Sequence, residues 1–404
     1  MKQFIADLHI HIGRAGNGKS VKITASRNLT FENIIDECLN RKGIDLTGIV
    51  DCASPSVIKD IKELIKKKKL TELPEGGFLH KDRVVILLGS EIETYEKESG
   101  FAHFLCYFPY LSQIVKFSNL MKKYISNIEL SSQRCFLQAS QLYSVVKEFG
   151  GILIPAHAFT PHKSVYGNMT DRLDKVFTMG EEIPAIELGL SADTFIADHL
   201  TELENISFLS NSDAHSLPKI GREYNIIEMQ KCNFKEFVLA LKGSGGRKII
   251  ANYGLDPKLG KYHRSFCEKC NFITDEPPPV LSCSKCFSSG KDFVSGVLDR
   301  VIQIKDKEKS ISPAQRPVYN YQVCLEFVPG VGKVILDRLI KHFGSEMAVI
   351  HSASREELIK VVGVEVANMI ILAREGRLIL TSGGGGKFGK VSSVKNKNEQ
   401  LTLL

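Results

Sequence analysis

Short apolar runs alternate with longer amphipathic segments over the first 240 residues of the chain. The apolar runs have the length of strands and occupy positions 4–10, 48–50, 84–88, 104–108, 151–154, 185–188 and 206–209. The segments between them carry apolar residues at helical spacing and occupy positions 31–42, 56–69, 112–125, 132–149 and 233–242. This alternation predicts an α/β fold built on a parallel sheet, a distorted TIM-like (β/α) barrel with its chemistry at the strand ends.

The pattern changes after residue 242. A glycine-serine stretch is followed by two Cys-x-x-Cys pairs, and these by short helices joined through glycine turns. The last residues are rich in glycine and lysine, a composition that is not expected to pack. We predict a barrel at 1–242, a linker at 243–262 and a cysteine module at 263–292. After these we predict a helix with a connector at 293–317, a helical domain at 318–378 and a flexible basic tail at 379–404.

Composition places the chain among globular proteins of more than one domain. It has 404 residues, of which 43% are hydrophobic and 25% charged. No apolar run reaches the roughly 20 residues that span a bilayer, and the first residues lack the apolar core of a secretion signal. We therefore expect a cytoplasmic protein that does not engage a membrane.

Charge divides unevenly along the chain. Residues 1–239 hold 28 basic and 30 acidic side chains, whereas residues 240–404 hold 25 basic and 16 acidic ones. The front part is close to neutral and the back part carries a net charge of +9. This division predicts catalysis in the front part and binding of a polyanion by the back part.

Residue types that bind metals recur at the ends of the predicted strands. The first strand ends in Asp7-Leu8-His9-Ile10-His11, whose alternate side chains are expected to share one face. Two imidazoles on one face are suited to a divalent metal. The later strands add the ligand-type residues Asp51, Glu91, His103, His157, Asp213 and His215. Because strand ends converge at the mouth of a barrel, these residues predict a metal cluster there.

These motifs resemble those of the polymerase-and-histidinol-phosphatase (PHP) family of metal-dependent phosphoesterases, over roughly residues 1–240. The resemblance rests on residues 7–11, 50–51, 89–91, 155–157 and 212–215. It implies a first metal site of His9, His11, Glu91 and Asp213, and a second of Glu91, His103 and His157. It also implies that Asp213, Glu91 and Asp51 are the catalytic residues.

The sequence lacks two of the histidines expected to bind a third metal of the PHP type. The family draws on two more histidines beside the one that matches His215, and Asn17 and Cys52 stand in their places. A third metal would need other ligands, such as Asp51 or His162. Glu187 and Asp193 also follow a strand. They are either an outer pair of the cluster or a proton donor, and the alternative for Asp193 is a helix cap.

The two cysteine pairs have the spacing of a structural zinc site. Twelve residues separate the pair Cys267 and Cys270 from the pair Cys283 and Cys286. Four thiolates leave no open position on the metal, so this Zn²⁺ is expected to support folding rather than catalysis.

The helical domain contains a sequence similar to a helix-hairpin-helix DNA-binding motif. Its first copy places Gly330, Gly332 and Lys333 before a helix, and a second copy places Gly363 before another. Glycines let the hairpin backbone approach a phosphate and present its N–H groups. In the barrel, the loop at 14–22 is a further candidate DNA contact through Arg14 and Lys19.

The C-terminal residues resemble the short peptide with which bacterial repair and replication proteins bind the DNA sliding clamp. The sequence ends in Gln400-Leu401-Thr402-Leu403-Leu404, after a glycine-rich tether. The residues that would bind the clamp are Gln400, Leu401, Leu403 and Leu404. The alternative is a frayed terminus with leucines present by chance.

The order of the domains resembles that of the endonuclease Q family, over nearly the whole chain. The resemblance implies an endodeoxyribonuclease that uses metal-activated hydroxide to nick DNA on the 5′ side of uracil, hypoxanthine, xanthine or abasic sites. It further implies Zn²⁺ in both metal regions or Mg²⁺ or Mn²⁺ for activity, double- or single-stranded damaged DNA as partner, and a nucleoid location. The alternatives are a PHP-type exonuclease and a small-molecule phosphoesterase.

Overall fold

The computed structural model describes residues 1–96, 100–178 and 180–392. Its strands are β1 (Lys2–Ile10), β2 (Leu46–Ile49), β3 (Thr71–Glu72), β4 (Phe78–His80), β5 (Val84–Tyr95), β6 (Phe101–Phe108), β7 (Ile152–Pro155), β8 (Ala185–Glu187), β9 (Ser207–Leu209), β10 (Tyr224–Met229), β11 (Lys248–Gly254), β12 (Phe266–Cys267), β13 (Phe272–Ile273), β14 (Phe293–Val294), β15 (Val318–Tyr321), β16 (Ile379–Thr381) and β17 (Lys390–Ser392). Its α-helices are α1 (Phe31–Glu37), α2 (Pro55–Lys66), α3 (Leu111–Met121), α4 (Ala139–Glu148), α5 (Thr194–Ala197), α6 (Phe234–Leu241), α7 (Val297–Ile304), α8 (Lys333–Phe343), α9 (Glu346–His351), α10 (Arg355–Val362) and α11 (Val364–Arg374).

The main sheet curves into an α/β barrel, as predicted, but its strands are not all parallel. β1, β2 and β5 run parallel, whereas β6 pairs with β5 and β10 with β1 in the antiparallel sense. β8 and β9 form a parallel pair, and a bridge between Ile10 and Ala214 brings the segment after β9 beside the end of β1. The prediction of a parallel sheet is wrong for β6, because apolar runs alone do not report strand direction.

A bulge in β1 decides which side chains enter the barrel. Between Asp7 and Ile10, β1 advances one residue more than its partner β2. Such an extra residue reverses the alternation of side chains beyond it. The expectation that Asp7, His9 and His11 share one face is therefore wrong for Asp7. Its carboxylate accepts hydrogen bonds from the N–H groups of Ser212 (3.1 Å) and Gly221 (2.8 Å).

The predicted linker contains part of the main sheet. β11 pairs antiparallel with β10, and β15 pairs parallel with β11 at the sheet edge. The prediction of a linker over 243–262 is wrong where β11 lies. The glycine-serine segment before β11 suggested a linker, but β11 forms because its backbone pairs with the neighbouring strand β10.

The prediction of a flexible tail from residue 379 is wrong as far as residue 392. β16 and β17 form an antiparallel hairpin. Its backbone is bound to the segment after β11, since the N–H of Gly383 donates to Lys258 O (2.7 Å) and that of Gly389 to Leu259 O (2.9 Å). A Cβ at Gly383 would lie 2.7 Å from Gly260 O, so glycine permits this close approach.

The helical domain has its own apolar core and is bound to the barrel. That core includes Leu339, Val349, Leu358 and Ile370. Its attachment uses a buried ion pair between Lys42 Nζ and Glu346 Oε1 (2.7 Å) and a second pair between Arg41 and Asp337 (2.7 Å). The module around the cysteines is a three-stranded sheet of β12, β13 and β14. Among the described residues, no helix is long and apolar enough to cross a membrane.

Candidate functional site

Two groups of potential metal ligands meet at the mouth of the barrel. His9, His11 and Asp213 form one group, and Glu91, His103 and His157 form the other. In each group the ligand atoms lie within 4.8 Å of one another. The sequence thus predicted side chains from five separate segments that the structure brings together.

Glu91 lies between the two groups. Its Oε1 is 2.9 Å from His103 Nδ1 and 3.5 Å from both His157 Nε2 and His9 Nε2. Its Oε2 is 3.6 Å from His11 Nε2. A single carboxylate therefore reaches all four imidazoles, which is the arrangement that a bridging ligand needs.

Two buried carboxylates hold the imidazoles of β1 from behind. Glu187 places both oxygens 3.0 Å from His9 Nδ1 and accepts the N–H of His157 at 2.8 Å. Asp51 Oδ2 lies 3.1 Å from His11 Nδ1 and accepts the N–H of Ile12 at 2.6 Å. Both carboxylates orient the rings so that each Nε2 faces the cluster. Asp51, predicted to be catalytic, thus lies behind His11, outside both groups of ligand atoms.

The electrostatics of the cluster favour a cation. Burial opposes charge on His9, but Glu187 and Asp213 raise its pKa well above the usual value. Burial likewise would raise the pKa values of Glu91 and Asp213, yet the neighbouring cations hold both well below the ordinary range. Carboxylates and imidazoles with this preference fit divalent metals, which replace the protons on the imidazoles.

The residues expected at a third metal site do not converge. Asn17 donates from Nδ2 to Ser56 Oγ at 3.2 Å, and the thiol of Cys52 donates to Ile49 O at 3.1 Å inside the core. His215 approaches Asp213 through Nδ1, which is 3.0 Å from the Asp213 carbonyl oxygen. Across the residues that the structure describes, His215 joins no group of three ligand-type side chains.

A lysine, Lys22, lies beside the two groups of potential metal ligands. Lys22 Nζ lies 3.1 Å from Glu91 Oε2 and 2.5 Å from Ser132 Oγ, and its side chain is 15% exposed. Burial would lower the pKa of Lys22, but Glu91, Asp51 and Asp213 raise it. Sequence reasoning placed Lys22 only at the end of a candidate DNA-contact loop, and no motif distinguished it from the chain's other lysines.

A pocket of about 570 Å³ adjoins the cluster. His157, Asp213 and His215 form one side of it. Phe388, from the β16–β17 hairpin, forms another, with the Arg222 guanidinium 5.6 Å and the Lys261 ammonium 4.7 Å from its ring centre. The pocket thus combines an aromatic face with positive charge beside the potential metal ligands. Phe388 was not predicted from the sequence, because the tail was expected to be flexible.

The predicted DNA-contact residues of the helical domain lie at exposed turns. Gly330 and Gly363 have φ values of 86° and 83°, and Gly332 and Gly363 precede α8 and α11. The side chains that follow, Val334 and Val364, are 72% and 55% exposed. In the barrel loop, Lys19 is 62% exposed and 3.5 Å from Glu129.

The four cysteines and Arg14 lie within the described residues, whereas the predicted clamp peptide does not. The four sulfur atoms of Cys267, Cys270, Cys283 and Cys286 converge within 4.8 Å. Arg14 is partly buried, and its Nε atom has no hydrogen-bond partner among the described residues. Gln400, Leu401, Leu403 and Leu404, the predicted clamp peptide, lie outside the described residues.

No family model matches the chain, but full-length relatives do. An uncharacterized protein of Bacillus subtilis, YqxK, is 48% identical over 394 residues, covering 97% of this chain and 100% of its own. The lesion-specific endonuclease PfuEndoQ of Pyrococcus furiosus is 32% identical, with a TM-score of 0.81 over 100% of this chain and 99% of its own. The chain belongs to the endonuclease Q family.

A second endonuclease Q structure contains DNA. This protein, in complex with a 27-mer duplex substrate with an abasic lesion at the active site, is 33% identical to the chain. It has a TM-score of 0.81 and covers 99% of this chain and 100% of its own. The predicted family is thereby confirmed, and with it the α/β fold class of the barrel.

Proposed function

We propose that this chain is a DNA repair endonuclease that hydrolyses the phosphodiester on the 5′ side of a deaminated base or an abasic site. The observation that carries the proposal is Glu91, which joins two converging sets of potential metal ligands in a full-length endonuclease Q fold. A paired metal site is suited to hydrolysing a phosphodiester. The basic back part of the chain supports DNA as the substrate.

We propose that His9, His11, Glu91 and Asp213 hold one metal, and that Glu91, His103 and His157 hold a second. Divalent metals at paired sites lower the pKa of water and neutralise charge on a phosphodiester. The mixed imidazole and carboxylate donors suit Zn²⁺ or Mn²⁺, with Mg²⁺ as the alternative. The four cysteines suit a structural Zn²⁺.

The chain's own residues prepare the site for this chemistry. Glu187 and Asp51 fix the tautomer and direction of His9 and His11. Arg222 holds the loop that carries Asp213, because its Nε donates to Ser212 O at 2.7 Å. His215, whose pKa burial lowers to about 4 against the effect of Asp213, presents a neutral imidazole to the pocket.

The pocket beside the cluster is the proposed position of the lesion nucleotide. An enzyme that inspects a base in a duplex must turn it out of the stack, which is easiest at a mismatch or an abasic site. Phe388 offers a face on which a base stacks, and Arg222 and Lys261 place positive charge near the flanking phosphates. The scissile phosphodiester would then lie against Asp213 and His157.

The helix-hairpin-helix copies are the proposed grip on undamaged DNA. Gly330, Gly332, Lys333 and Gly363 surround exposed helix starts, where backbone N–H groups bind phosphates without reading sequence. Arg14 and Lys19 are the proposed contacts from the barrel. We also propose that Gln400, Leu401, Leu403 and Leu404 bind a sliding clamp, which would place the enzyme at the nucleoid.

The test of the proposed activity is cleavage of an end-labelled duplex with one central uracil or abasic site, in Mg²⁺, Mn²⁺ or Zn²⁺. We expect a single nick directly 5′ of the lesion that leaves a 3′-hydroxyl and a 5′-phosphate, and no cleavage of the undamaged duplex. A ladder from either end would identify an exonuclease. Turnover of a small phosphomonoester with no DNA cleavage would identify a metabolic phosphatase.

A further inference from the structure

We propose that Lys22 is a catalytic residue whose ammonium group binds the scissile phosphodiester and stabilises the negative charge that grows on it during hydrolysis. This inference rests on the proposed nuclease function. It assigns to a side chain the positive charge that a third metal would otherwise supply.

The position of Lys22 is built by the fold. The Lys22 N–H donates to Ile12 O at 2.8 Å, directly after the histidine strand β1, and the Val21 N–H donates to Gly13 O at 3.0 Å. These bonds direct the side chain toward the cluster, where Nζ meets Glu91 Oε2 (3.1 Å) and Ser132 Oγ (2.5 Å). The position is thus fixed at both ends of the side chain.

The serines around Lys22 also belong to the cluster. Ser132 Oγ donates to Glu91 Oε2 and lies 3.0 Å from Ser131 Oγ, which is itself 3.3 Å from His11 Nδ1. The bond from Lys22 to Glu91 is therefore part of one network with a bridging carboxylate and a ligand histidine. A lysine that served only as a surface counterion would have no need of this support.

Among the described residues no third group of barrel ligands converges, so Lys22 supplies a positive charge that such a group would otherwise bind. Asn17 and Cys52 turn away to Ser56 Oγ and Ile49 O, which leaves His215 without two partner ligands. An ammonium group is a compact cation with three donors, so one donor can remain on Glu91 while another reaches a phosphate oxygen.

The role of Lys22 in the reaction is electrostatic. Water supplies the oxygen of the new P–O bond, the bond from phosphorus to the 3′ oxygen breaks, and that oxygen takes up a proton. Lys22 transfers no proton in this account. A positioned donor acting on developing charge contributes about 10²–10³-fold in rate.

The test compares Lys22→Met and Lys22→Arg with the wild type on the uracil duplex in single-turnover reactions. We expect Lys22→Met to lower the cleavage rate by about 10²–10³-fold, and Lys22→Arg to recover part of the loss. Metal content per chain and Tm should stay as in the wild type, because none of the proposed ligands changes, and affinity for the duplex should fall by much less than the cleavage rate. Lys235→Met removes an exposed lysine paired with Glu75 and is the matched control.

Two results would overturn the proposal. The first is a Lys22→Met rate within threefold of the wild type. The second is a variant that loses barrel metals or unfolds, with activity restored by excess metal, since this would make Lys22 a structural counterion. If the wild type leaves lesion DNA uncut, the proposed function fails instead. The same variants are then compared on bis(4-nitrophenyl) phosphate, where the same loss supports Lys22 and an unchanged rate refutes its role.

Discussion

The barrel cluster and the four-cysteine module both gather potential metal ligands, but from opposite surroundings. The barrel ligands come from distant strand ends and are embedded in two large apolar cores. The cysteines lie within one short segment, and the buried core around them is small, formed by Cys267, Val280, Cys283 and Phe293 with the partly buried Phe272 and Cys286 packed against it. We therefore expect the barrel ligands to be held in place by the fold without a metal, whereas the folding of the module is expected to depend on a metal bound to the cysteines.

The outer contacts of the two regions differ in the same way. The barrel imidazoles are oriented by Glu187 and Asp51. The module instead binds a buried carboxylate outside it, Asp299 on α7, which accepts the N–H groups of Ser265 (2.9 Å) and Val280 (3.0 Å) and so attaches the module to the neighbouring helix. Carboxylates tune ligands in one region and anchor backbone in the other. Changes to the barrel ligands should therefore affect chemistry, and changes to the cysteines should affect local folding.

The largest expected effect is that of Cys283→Ser. Structural Zn²⁺ in small modules binds with roughly 10–16 kcal/mol, and much of this energy is also the folding energy of the module. We expect the variant to lose one metal ion per chain and to become sensitive to proteases over 263–292. Metal analysis and limited proteolysis measure this, with Cys232→Ser as the control outside the four cysteines. A metal-free module that still resists proteases would contradict the comparison.

The next largest effect is that of Asp213→Asn. Asp213 Oδ1 lies 3.5 Å from His9 Nε2 and 3.4 Å from His11 Nε2, and the variant removes its charge while keeping its shape. We expect cleavage of the lesion duplex to fall by at least about a thousandfold, with an unchanged Tm. Single-turnover assays measure the loss, and the exposed Asp174→Asn is the control. Activity within tenfold of the wild type would show that the barrel cluster is not the catalytic centre.

A smaller effect is expected for Glu187→Gln. The amide keeps the size of the side chain but no longer balances charge on His9, and loss of such a partner typically costs 10–100-fold in metal affinity. Competition with a chelator measures this affinity for the barrel metals. Glu182→Gln changes an exposed glutamate nearby and should leave the affinity as it is. Equal metal affinities in the two variants would show that Glu187 does not support metal binding through His9.

The smallest expected effect concerns DNA binding by the helical domain, which should be independent of both metal regions. Lys333→Ala removes one charge at the first turn of α8, so affinity for any duplex should weaken several-fold. The slope of log affinity against log salt should fall by about one unit. Lys341→Ala, at the other end of the same helix, is the control. An unchanged slope for Lys333→Ala would place the DNA on another surface.

Sequence patterns predicted the residues that converge in the two barrel groups, because a strand end can be recognised as an apolar run followed by a polar residue. They could not predict the bulge in β1, because it depends on pairing with β2 and turns Asp7 away from the cluster. They also missed Phe388, since a glycine-rich segment binds here by close backbone approach rather than by apolar burial. Lys22 was not predicted as a site residue for a related reason, because its position depends on contacts with Glu91 and Ser132 far along the chain.

The most direct test of the division between the two regions is a chelation and reloading experiment on a single sample. The protein is dialysed against a mild chelator, and its metal content, Tm and cleavage of the abasic duplex are measured before and after Mn²⁺ is restored. The account predicts that the barrel metals and cleavage are lost together, that the cysteine-bound metal and the folded module remain, and that Mn²⁺ restores the single nick. Cleavage that persists after the barrel metals are gone, or that disappears only when the cysteine-bound metal leaves, would contradict it.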